Sequence, residues 1–468
     1  MPQQVRIRRL DAWVDPEIAF RLLGARASRA VWLDAGPDAT SGRSAIAVGH
    51  DESAFVVADA TDGDDLIDTL RSRLDERAAQ RDDEGSSVLG WLGWFGYEWG
   101  AARLGVPVAA TAVPDAAFLF ADRAIVFDHA RREVELEWLD GADADAWADD
   151  VAERLDGAAP APEASEASEP GETSEASAQV EPNAPVSPSA IRWRHAPDAY
   201  AARIEACRTA ITRGDAYQLC LTNRIDLDAP ADALSVYLRL RRLSPAHHGG
   251  FVRFDDVALL SASPEQFLLV DRSGLVTTRP MKGTRPRGYD EASDLALRAE
   301  LLASDKERAE NLMIVDLMRN DLGRIAELGT VSVPELHVVE EYPQVHQLVS
   351  TVTARLRPGA TALDAVVAAF PAGSMTGAPK HSAMTILHSL EEGPRGIYSG
   401  AFGSLSVDGS ADLAMVIRSI VATPDGASIG TGGGITALSV ADDEVEETRI
   451  KARALLQALL GRRSAAIE

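Results

Sequence analysis

Alternating and periodic apolar positions divide the chain into strands and helices. Apolar or alternating runs at 44–49, 117–129 and 132–139 predict strands in the first third of the chain. Residues 62–80 carry acidic residues near their start and predict a helix. Residues 90–100, GWLGWFGYEWG, place aromatic side chains between glycines. We interpret them as a buried strand with close backbone approach, and a ligand-binding wall is the alternative.

The second half of the chain mixes the same kinds of element. Residues 197–215 predict an amphipathic helix that ends at Gly214, and residues 216–227 predict a strand. Several strands are predicted over 250–283, whereas 293–326 is largely helical. Because strands and helices are mixed rather than strictly alternating, the pattern favours an α+β fold over a doubly wound parallel sheet.

One segment departs from this pattern. Residues 156–190 consist mainly of Ala, Ser, Pro and Glu, without an aromatic or a basic side chain. Such a composition buries too little apolar surface to offset the entropy of ordering, so it predicts a disordered acidic linker. We therefore divide the chain into an N-terminal region at 1–155, this linker, and a C-terminal region at 191–468.

Composition and charge narrow the function classes. The 468 residues are 46% hydrophobic, and the net charge of −26 argues against nucleic acid or an anionic membrane as a partner. No apolar run approaches the roughly 18 residues of a membrane helix, and the first residues lack the apolar segment of a secretory signal. The two cysteines, Cys207 and Cys220, fit no metal-binding spacing, so we expect reduced thiols in a cytoplasmic protein.

Lysine is rare in this chain. Only four of the 46 basic residues are lysines, and they are Lys282, Lys306, Lys380 and Lys451. Lysine can lose its proton and act as a nucleophile or base, which arginine effectively cannot. Lys282 lies in RPMKGTRPRG (279–288), and the other three lie in segments that carry Glu pairs or turn residues. We therefore expect the four lysines to form one site.

Two groups of acidic residues are spaced to share a helix face. Glu307 and Glu310 are three residues apart, and Glu444, Glu447 and Lys451 follow at i, i+3 and i+7. Mg²⁺ prefers a few carboxylates and completes its shell with water and substrate oxygens. The two groups therefore predict a Mg²⁺ site, and solvated helix faces with ordinary Glu–Lys pairs are the simpler alternative.

Three further features have two interpretations each. The four glycines within 430–434 predict either a loop whose amides bind a carboxylate or phosphate, or a tight turn between strands. Arg418 is an isolated cation in an apolar run, so it needs a bound carboxylate or an internal Asp or Glu as partner. By itself, His346 is better explained as a hydrogen-bonded core histidine than as a catalyst.

Taken in order, nine segments resemble the chorismate-utilising enzymes. They are SASPEQF, RPMKGTRPRG, SDKERAENLMIVDLMRNDLGRI, PQVHQLVSTV, FPAGSMTGAPK, GIYSGAFG, AMVIRS, GTGGGIT and EVEETRIKARALL. The resemblance covers roughly 190–460, and the first 150 residues resemble the N-terminal part of members that are coupled to an amidotransferase. It implies two large antiparallel β-sheets packed together and flanked by helices, with the site in a cleft of the second part.

The resemblance also implies Mg²⁺-dependent chemistry on chorismate. Glu310 and Glu447 match the family's Mg²⁺ ligands, with Glu307 and Glu444 in support. Glu265 matches the general acid, and Lys282 and His346 complete the implied catalytic set. The residues implied to bind substrate are Thr376, Tyr398, Arg418, Gly432, Gly433, Gly434 and Lys451.

Lys282 bears on which product is made. Anthranilate-forming members usually carry a small residue at this position. The lysine implies that its amine adds to C2 of chorismate as the C4 hydroxyl leaves, after which ammonia attacks C4 and expels the lysine. The expected product is 4-amino-4-deoxychorismate, made by a transaminase-type transferase on the route to p-aminobenzoate and folate. Formation of anthranilate, isochorismate or salicylate stays open, as does a non-catalytic chorismate-binding subunit.

The resemblance raises three expectations about the surroundings of this chemistry. The lysine must be neutral to react, and Arg279, Arg285 and Arg287 favour that state if they point inward. Neither cysteine lies in a Gly-flanked nucleophile turn, so we expect ammonia from a separate glutamine amidotransferase subunit or from solution. Residues 28–36 lie where family members can hold tryptophan.

Overall fold

The protein is described by a computed structural model that covers residues 3–83, 85–141, 143–158, 191–228, 232–342 and 345–461. Most of the predicted linker, residues 159–190, lies outside the described residues. In chain order the helices are α1 Pro16–Leu23, α2 Gly63–Glu76, α3 Tyr97–Arg103, α4 Ala144–Asp156, α5 Pro197–Thr212, α6 Ala233–Leu243, α7 Glu291–Ala303, α8 Asp305–Gly323, α9 Ala362–Ala369, α10 Lys380–Glu391 and α11 Ala441–Leu460.

The described residues also form strands throughout both halves of the chain. In chain order they are β1 Gln3–Gln4, β2 Arg6–Arg9, β3 Arg29–Asp34, β4 Arg43–Val48, β5 Phe55–Ala58, β6 Ala79–Gln80, β7 Gly90–Phe95, β8 Ala116–Ala121, β9 Arg123–Asp128, β10 Glu133–Trp138, β11 Ile191–Trp193, β12 Gln218–Leu227, β13 His248–Phe254, β14 Val257–Ser263, β15 Gln266–Val270, β16 Leu275–Thr278, β17 Met281–Pro286, β18 Ser332–Glu341, β19 Val345–Arg355, β20 Gly377–Ala378, β21 Ala401–Ser406, β22 Ala411–Met415, β23 Ser419–Thr423 and β24 Gly426–Ile435.

Two large antiparallel sheets contain almost all of these strands. The larger runs β11-β12-β24-β23-β14-β13-β3-β4-β9-β10-β2, with β20 added beside β12. The smaller runs β17-β19-β16-β15-β22-β21-β7-β8-β5, with β18 added beside β19. Each sheet contains strands from before and after the predicted linker, since β3 pairs with β13 and β7 pairs with β21. The two regions of the chain are therefore joined through both sheets.

The main hydrophobic core lies between the two sheets. Val31 and Leu259 of the larger sheet belong to the same buried cluster as Trp91 and Leu413 of the smaller one. A second cluster covers the outer face of the larger sheet beneath α1, α4, α6 and α11. The expected α+β fold of two antiparallel sheets flanked by helices is confirmed. No helix among the described residues is both long and apolar enough to cross a membrane.

Residues 90–95 of the glycine-rich aromatic segment form a buried strand, as its simpler interpretation predicted, but residues 97–100 belong to helix α3, so the prediction is wrong there. All six residues of β7 are buried. A methyl group placed on Gly93 would lie 1.9 Å from the carbonyl oxygen of Ala117 in β8. The close approach of these two backbones therefore requires glycine at this position.

Helices α8 and α11 are positioned by their first turns and by the strands beneath them. The Ser304 hydroxyl caps α8 by accepting a hydrogen bond from the Glu307 amide, and acidic residues occupy the first turn of α11. Both features favour a helix start, because they satisfy or complement the free amides at the N-terminus. Helix α8 packs on β17 and β19, and α11 packs along β24. This brings the first half of each helix to the same end of the fold.

Candidate active site

Three ion pairs bring together the elements that the sequence analysis singled out. Lys282 Nζ of β17 lies 4.0 Å from Glu310 Oε2 of α8. Lys306 Nζ of α8 lies 3.3 Å from Glu444 Oε1 of α11. Within α11, Lys451 Nζ lies 2.6 Å from Glu447 Oε1. The two groups of carboxylates and three of the four lysines therefore form one cluster, as predicted.

Burial decides between the two interpretations of the acidic residues. The side chain of Glu310 is 8% exposed and that of Glu444 is 4% exposed. Solvated helix faces are therefore the wrong interpretation for these two residues, although Lys451 and Glu447 do form an ordinary i,i+4 pair. Burial raises the pKa of Glu310, and the neighbouring Glu307 adds to that rise while Lys282 opposes it. Burial also disfavours ionised Glu447, but Lys451 and Lys282 outweigh burial and lower its pKa.

The surroundings of Lys282 favour its ammonium form. Burial alone would favour the neutral amine, but Glu310, together with Glu265 and Glu447, outweighs burial and raises the pKa of Lys282. The expectation that neighbouring arginines favour the neutral amine is wrong. Each of the three arginines is engaged by a carboxylate: Arg279 pairs with Glu340, Arg285 with Glu300 and Arg287 with Asp294.

Glu265 is a buried carboxyl group that holds its proton near neutral pH. It lies just before β15, and burial raises its pKa to about 7 even though Lys282 opposes the shift. The Ser374 hydroxyl and the Met281 amide also oppose the rise in the pKa of Glu265. Ser374 belongs to the short turn Gly373–Met375, so this turn and the strand that carries Lys282 both lie near the carboxyl group.

The glycine-rich segment is neither a loop nor a turn. Residues 430–434 lie within β24, where they pair with β12. Strand β23 pairs with β24 only as far as Ile429, so the edge of 430–434 that faces away from β12 has no strand partner among the described residues. The local preference of glycine for turns is overridden because a wide cross-strand ladder holds the segment extended.

These glycines also leave room for the side chains of the site. A methyl group on Gly434 would lie 3.2 Å from Lys282 Nζ and 2.4 Å from Gln218 Nε2. A methyl group on Gly433 would lie 2.9 Å from Glu444 Oε2, and one on Gly430 would overlap the ring of Tyr398. The glycine strand is therefore the wall against which the lysine, carboxylate and tyrosine side chains lie.

Gln218 is a site residue that the sequence analysis missed. It is fully buried, and neither its amide nitrogen nor its amide oxygen has a hydrogen-bond partner among the described residues. A buried amide without partners is unfavourable unless a ligand supplies them. The signal in the sequence is a polar residue immediately before the apolar run 219–221 at the start of β12.

Arg418 is a half-buried cation without an acidic partner among the described residues. It lies between β22 and β23 with φ of 51°, and burial lowers its pKa. The charged groups that act on it most are Tyr398 and Glu447, and no described carboxylate forms an ion pair with its guanidinium. The arrangement favours the bound-carboxylate interpretation over the internal Asp or Glu.

Three residues are held by contacts of their own. His346 is fully buried, and its Nε2 lies 2.9 Å from Asp294 Oδ1 of α7, as a core histidine would. The Thr376 hydroxyl donates to the carbonyl oxygen of Ala372 at 3.1 Å. Lys380 Nζ pairs with Asp321 Oδ2 at 2.6 Å and donates to the Ala369 carbonyl oxygen. The prediction that all four lysines form one site is wrong for Lys380, which joins α10 to the end of α8.

The donor set suits a hard divalent cation by its chemistry. Glu307, Glu310, Glu444 and Glu447 offer carboxylate oxygens, which Mg²⁺ prefers. They are close enough that Glu307 and Glu444 both act on the pKa of Glu310. Across the described ranges, no three acidic, histidine or cysteine side chains are arranged as metal ligands. The carboxylates are instead held by the cationic side chains of the cluster.

Comparison with known proteins assigns the chain to a class. The chorismate binding enzyme family matches residues 29–457, and the chain belongs to this family. The structure of anthranilate synthase component I from Streptococcus pneumoniae superposes with a TM-score of 0.68 at 27% identity, covering 97% of this chain and 92% of that chain. The menaquinone-specific isochorismate synthase of Escherichia coli superposes with a TM-score of 0.68 at 17% identity, over 98% of this chain and 95% of that one, which shows the shared fold alone.

Among proteins of known name, the chain is similar to several aminodeoxychorismate synthases. It is 38% identical over 482 residues to that of Streptomyces pristinaespiralis, covering 97% of this chain and 65% of the relative. It is 45% identical over 378 residues to that of Streptomyces griseus, covering 80% and 50%. It is 40% identical over 374 residues to aminodeoxychorismate synthase component 1 of Klebsiella aerogenes, covering 79% and 77%. The chain thus spans between half and two thirds of the length of the two Streptomyces relatives.

Proposed function

We propose that the chain is the chorismate-aminating component of an aminodeoxychorismate synthase, and that it forms 4-amino-4-deoxychorismate through a covalent bond to Lys282. The observation that carries this proposal is the placement of a primary amine, on a side chain that is only 15% exposed, beside the carboxylates of α8 and α11. Lys282 Nζ lies 4.0 Å from Glu310 and against Gly434. A buried lysine with carboxylates around it can exchange a proton and act as a nucleophile.

The mutual effect of Lys282 and Glu265 on each other's pKa supports the role of Lys282 as nucleophile. Each acts on the other: Lys282 lowers the pKa of Glu265, and Glu265 raises the pKa of Lys282. Near pH 7 part of Glu265 is ionised, and transfer of one proton from the Lys282 ammonium to that carboxylate converts the pair into a neutral amine and a neutral carboxylic acid. These are the forms that a nucleophile and a general acid need.

The reaction follows from these two groups. The Lys282 amine forms a bond to C2 of chorismate, the two conjugated ring double bonds each shift by one position, and the C4–O bond breaks so that the hydroxyl leaves as water with the proton of Glu265. Ammonia then forms a bond to C4, the double bonds shift back, and the Lys282 amine leaves from C2. Arg418 and the unpaired edge of 430–434 would bind substrate carboxylate, since both offer donors without an internal acidic partner.

A divalent cation, Mg²⁺ in our proposal, would be held by Glu310 and Glu447 with Glu307 and Glu444 in support, and it would supply positive charge for a substrate carboxylate. Neutralising these carboxylates also removes the interaction that keeps Lys282 protonated. The carboxylates of α8 and α11 therefore set both the substrate orientation and the charge of the nucleophile.

The ammonia source and the setting of the reaction belong to the same proposal. The name "component 1" of the Klebsiella relative supports a partner, and we propose a separate glutamine amidotransferase subunit. Both cysteines are free and buried, which supports a reducing cytoplasm and leaves neither as an exposed glutaminase nucleophile. Two further statements stay predictions. One is that the product is used for folate synthesis, and the other is that tryptophan binds near residues 28–36, most of which form β3.

Anthranilate formation is the nearest alternative, because the Streptococcus anthranilate synthase shares both fold and length. It would need no lysine nucleophile, so the buried Lys282 favours amination at C4. Isochorismate or salicylate formation, and a chorismate-binding subunit without turnover, are the other outcomes that product analysis separates.

Product analysis with two variants tests the proposal. Purified chain is incubated with chorismate, Mg²⁺ and ammonium, and the products are identified by mass and retention. We expect 4-amino-4-deoxychorismate from the wild type and none from Lys282→Ala or Lys282→Arg. The arginine variant keeps a positive charge beside Glu310 but has no usable nucleophile. Amination by either variant would refute the covalent step, and anthranilate from Lys282→Ala would support it.

Intact-mass analysis tests the covalent bond directly. Without ammonium, the wild type should gain the mass of chorismate less one water on the peptide that contains Lys282, whereas Lys282→Arg should gain none. An unmodified wild-type chain that still makes the aminated product on addition of ammonium would contradict the proposal.

A further inference from the structure

Each carboxylate of the proposed metal set already has a cationic side chain within 4.0 Å. Lys282 is near Glu310, Lys306 is near Glu444, and Lys451 is near Glu447. The remaining carboxylate, Glu307, lies 3.8 Å from the guanidinium of Arg285. A divalent cation that binds these oxygens must therefore replace existing ion pairs rather than enter a set of free ligands.

Lys306 differs from the other lysines in how it is held. Lys282 is 15% exposed and lies beneath the glycine strand. Lys451 also donates to the carbonyl oxygen of Gly432 at 2.7 Å, which fixes its position. Lys306 is 40% exposed, and within the described part of the chain its ammonium donates a hydrogen bond to Glu444 alone. It is therefore the lysine that can leave the cluster for solvent without breaking another contact.

Lys306 also faces more of the proposed ligand set than its single ion pair shows. Glu444, Glu310 and Glu447 all favour its charged form, whereas partial burial opposes it. It stands in the first turn of α8 and reaches across to α11, so its ammonium bridges the two helices that supply the carboxylates. A single positive charge in this position does part of what a bound cation would do.

We propose that Lys306 is a displaceable counter-ion that holds Glu444 in the absence of metal and competes with the divalent cation for it. The inference rests on the proposed function, because it assumes that a divalent cation binds the carboxylates of α8 and α11. Lys306 is a positioning residue in this scheme, since it acts through Glu444 and not on the substrate.

One substitution should therefore strengthen binding of the cation and destabilise the metal-free protein. Lys306→Met keeps the aliphatic stem but removes the competing charge. A partly exposed ion pair contributes up to about 1 kcal/mol, which corresponds to about a fivefold change in affinity. We therefore expect Lys306→Met to bind the cation about fivefold more tightly, while its metal-free form unfolds at a lower temperature than the wild type.

The test titrates the purified chain with MnCl₂, without chorismate, and counts free Mn²⁺ by its electron paramagnetic resonance signal. Lys306→Arg keeps the charge and should bind Mn²⁺ like the wild type. Arg308→Met removes an exposed positive charge from the same helix and is the matched control. It should leave the affinity unchanged. Thermal unfolding of each variant with and without MnCl₂ gives the second readout.

The outcomes separate this inference from the proposed function. Tighter binding by Lys306→Met alone, with a larger Mn²⁺-induced rise in unfolding temperature, supports the counter-ion role. If the wild type binds Mn²⁺ and Lys306→Met binds it with the same or lower affinity, the counter-ion role is wrong and the metal site is retained. An equal gain in Arg308→Met overturns the counter-ion role in favour of a general charge effect. If the wild type binds no Mn²⁺ but still aminates chorismate, both the counter-ion and the metal assignment are wrong.

Discussion

A single methyl group on the glycine strand should disable the site without unfolding the protein. The change is Gly434→Ala, in the part of β24 that lies against Lys282. The new methyl carbon would lie 2.4 Å from Gln218 Nε2 and 3.2 Å from Lys282 Nζ. Ordinary contacts for such atoms begin near 3.5 Å, so Gln218 must move by about 1 Å and Lys282 by a few tenths of an ångström.

The two displacements predict a larger effect on rate than on stability. Overpacking of a core usually costs about 1–3 kcal/mol, and the lower end applies here because both obstructing atoms end flexible side chains. A misplacement of about 1 Å in a catalytic group can lower the rate by about 100-fold, which corresponds to about 2.7 kcal/mol in the activation barrier. We therefore expect kcat to fall by about two orders of magnitude while the protein stays folded at assay temperature.

The assay measures kcat and KM for chorismate at saturating ammonium, with thermal unfolding followed by circular dichroism. Gly323→Ala is the matched control, because a methyl group there meets nothing within 4 Å and the residue lies in α8. It should keep both the rate and the unfolding temperature of the wild type. Wild-type kcat in Gly434→Ala would refute the placement of Lys282 and Gln218 against this strand. If Gly434→Ala loses activity only because it is unfolded at the assay temperature, the prediction is also wrong.

Two further predictions concern groups beside Lys282. Gln218→Leu replaces a buried amide that has no hydrogen-bond partner among the described residues. We therefore expect the unfolding free energy of the free protein to rise by about 1 kcal/mol and kcat/KM for chorismate to fall. A less stable variant with full activity would contradict this. Glu265 has its pKa raised from 4.5 to about 7, so the folded state holds a proton that the unfolded state releases. The stability from this group is present below pH 4.5 and is lost as pH rises through about 7. If the protonated carboxyl is the general acid, wild-type kcat/KM should also fall above about pH 7, and Glu265→Gln should be slower by about 100-fold or more and lack that decline. A wild-type profile that is flat from pH 6 to 8 would contradict the assignment.

Local pattern predicted most of the elements and the class of fold. The alternating runs at 117–129 and 132–139 became β8, β9 and β10, and the helical periodicity of 197–215 became α5. These features depend on contacts within a few residues, which the order of apolar and polar side chains records directly. The spacing of Glu307 and Glu310, and of Glu444 and Glu447, likewise indicated which carboxylates share a helix face.

Local pattern failed where a neighbouring element decided the conformation or the partner. The glycines of 430–434 favour turns by themselves, yet β12 holds them as a strand. Lys380 lies in a motif of the family but forms an ion pair with Asp321. The arginines around Lys282 form ion pairs with carboxylates of other elements. Asp294 is only seven residues from Arg287, but the other partners lie 15 or more residues away, so no short window of sequence contains them.

The sequence by itself determined several helices and strands, the α+β class and the family to which the chain belongs, because these follow from side-chain periodicity and from ordered motifs. Only the tertiary structure decided which lysine faces which carboxylate, which carboxylates raise the pKa of Lys282, and that Gln218 is buried with no hydrogen-bond partner among the described residues. The physical reason is that charge states and hydrogen-bond partners depend on burial and on distances between elements. Those distances are set by the packing of two sheets that each contain strands from both halves of the chain.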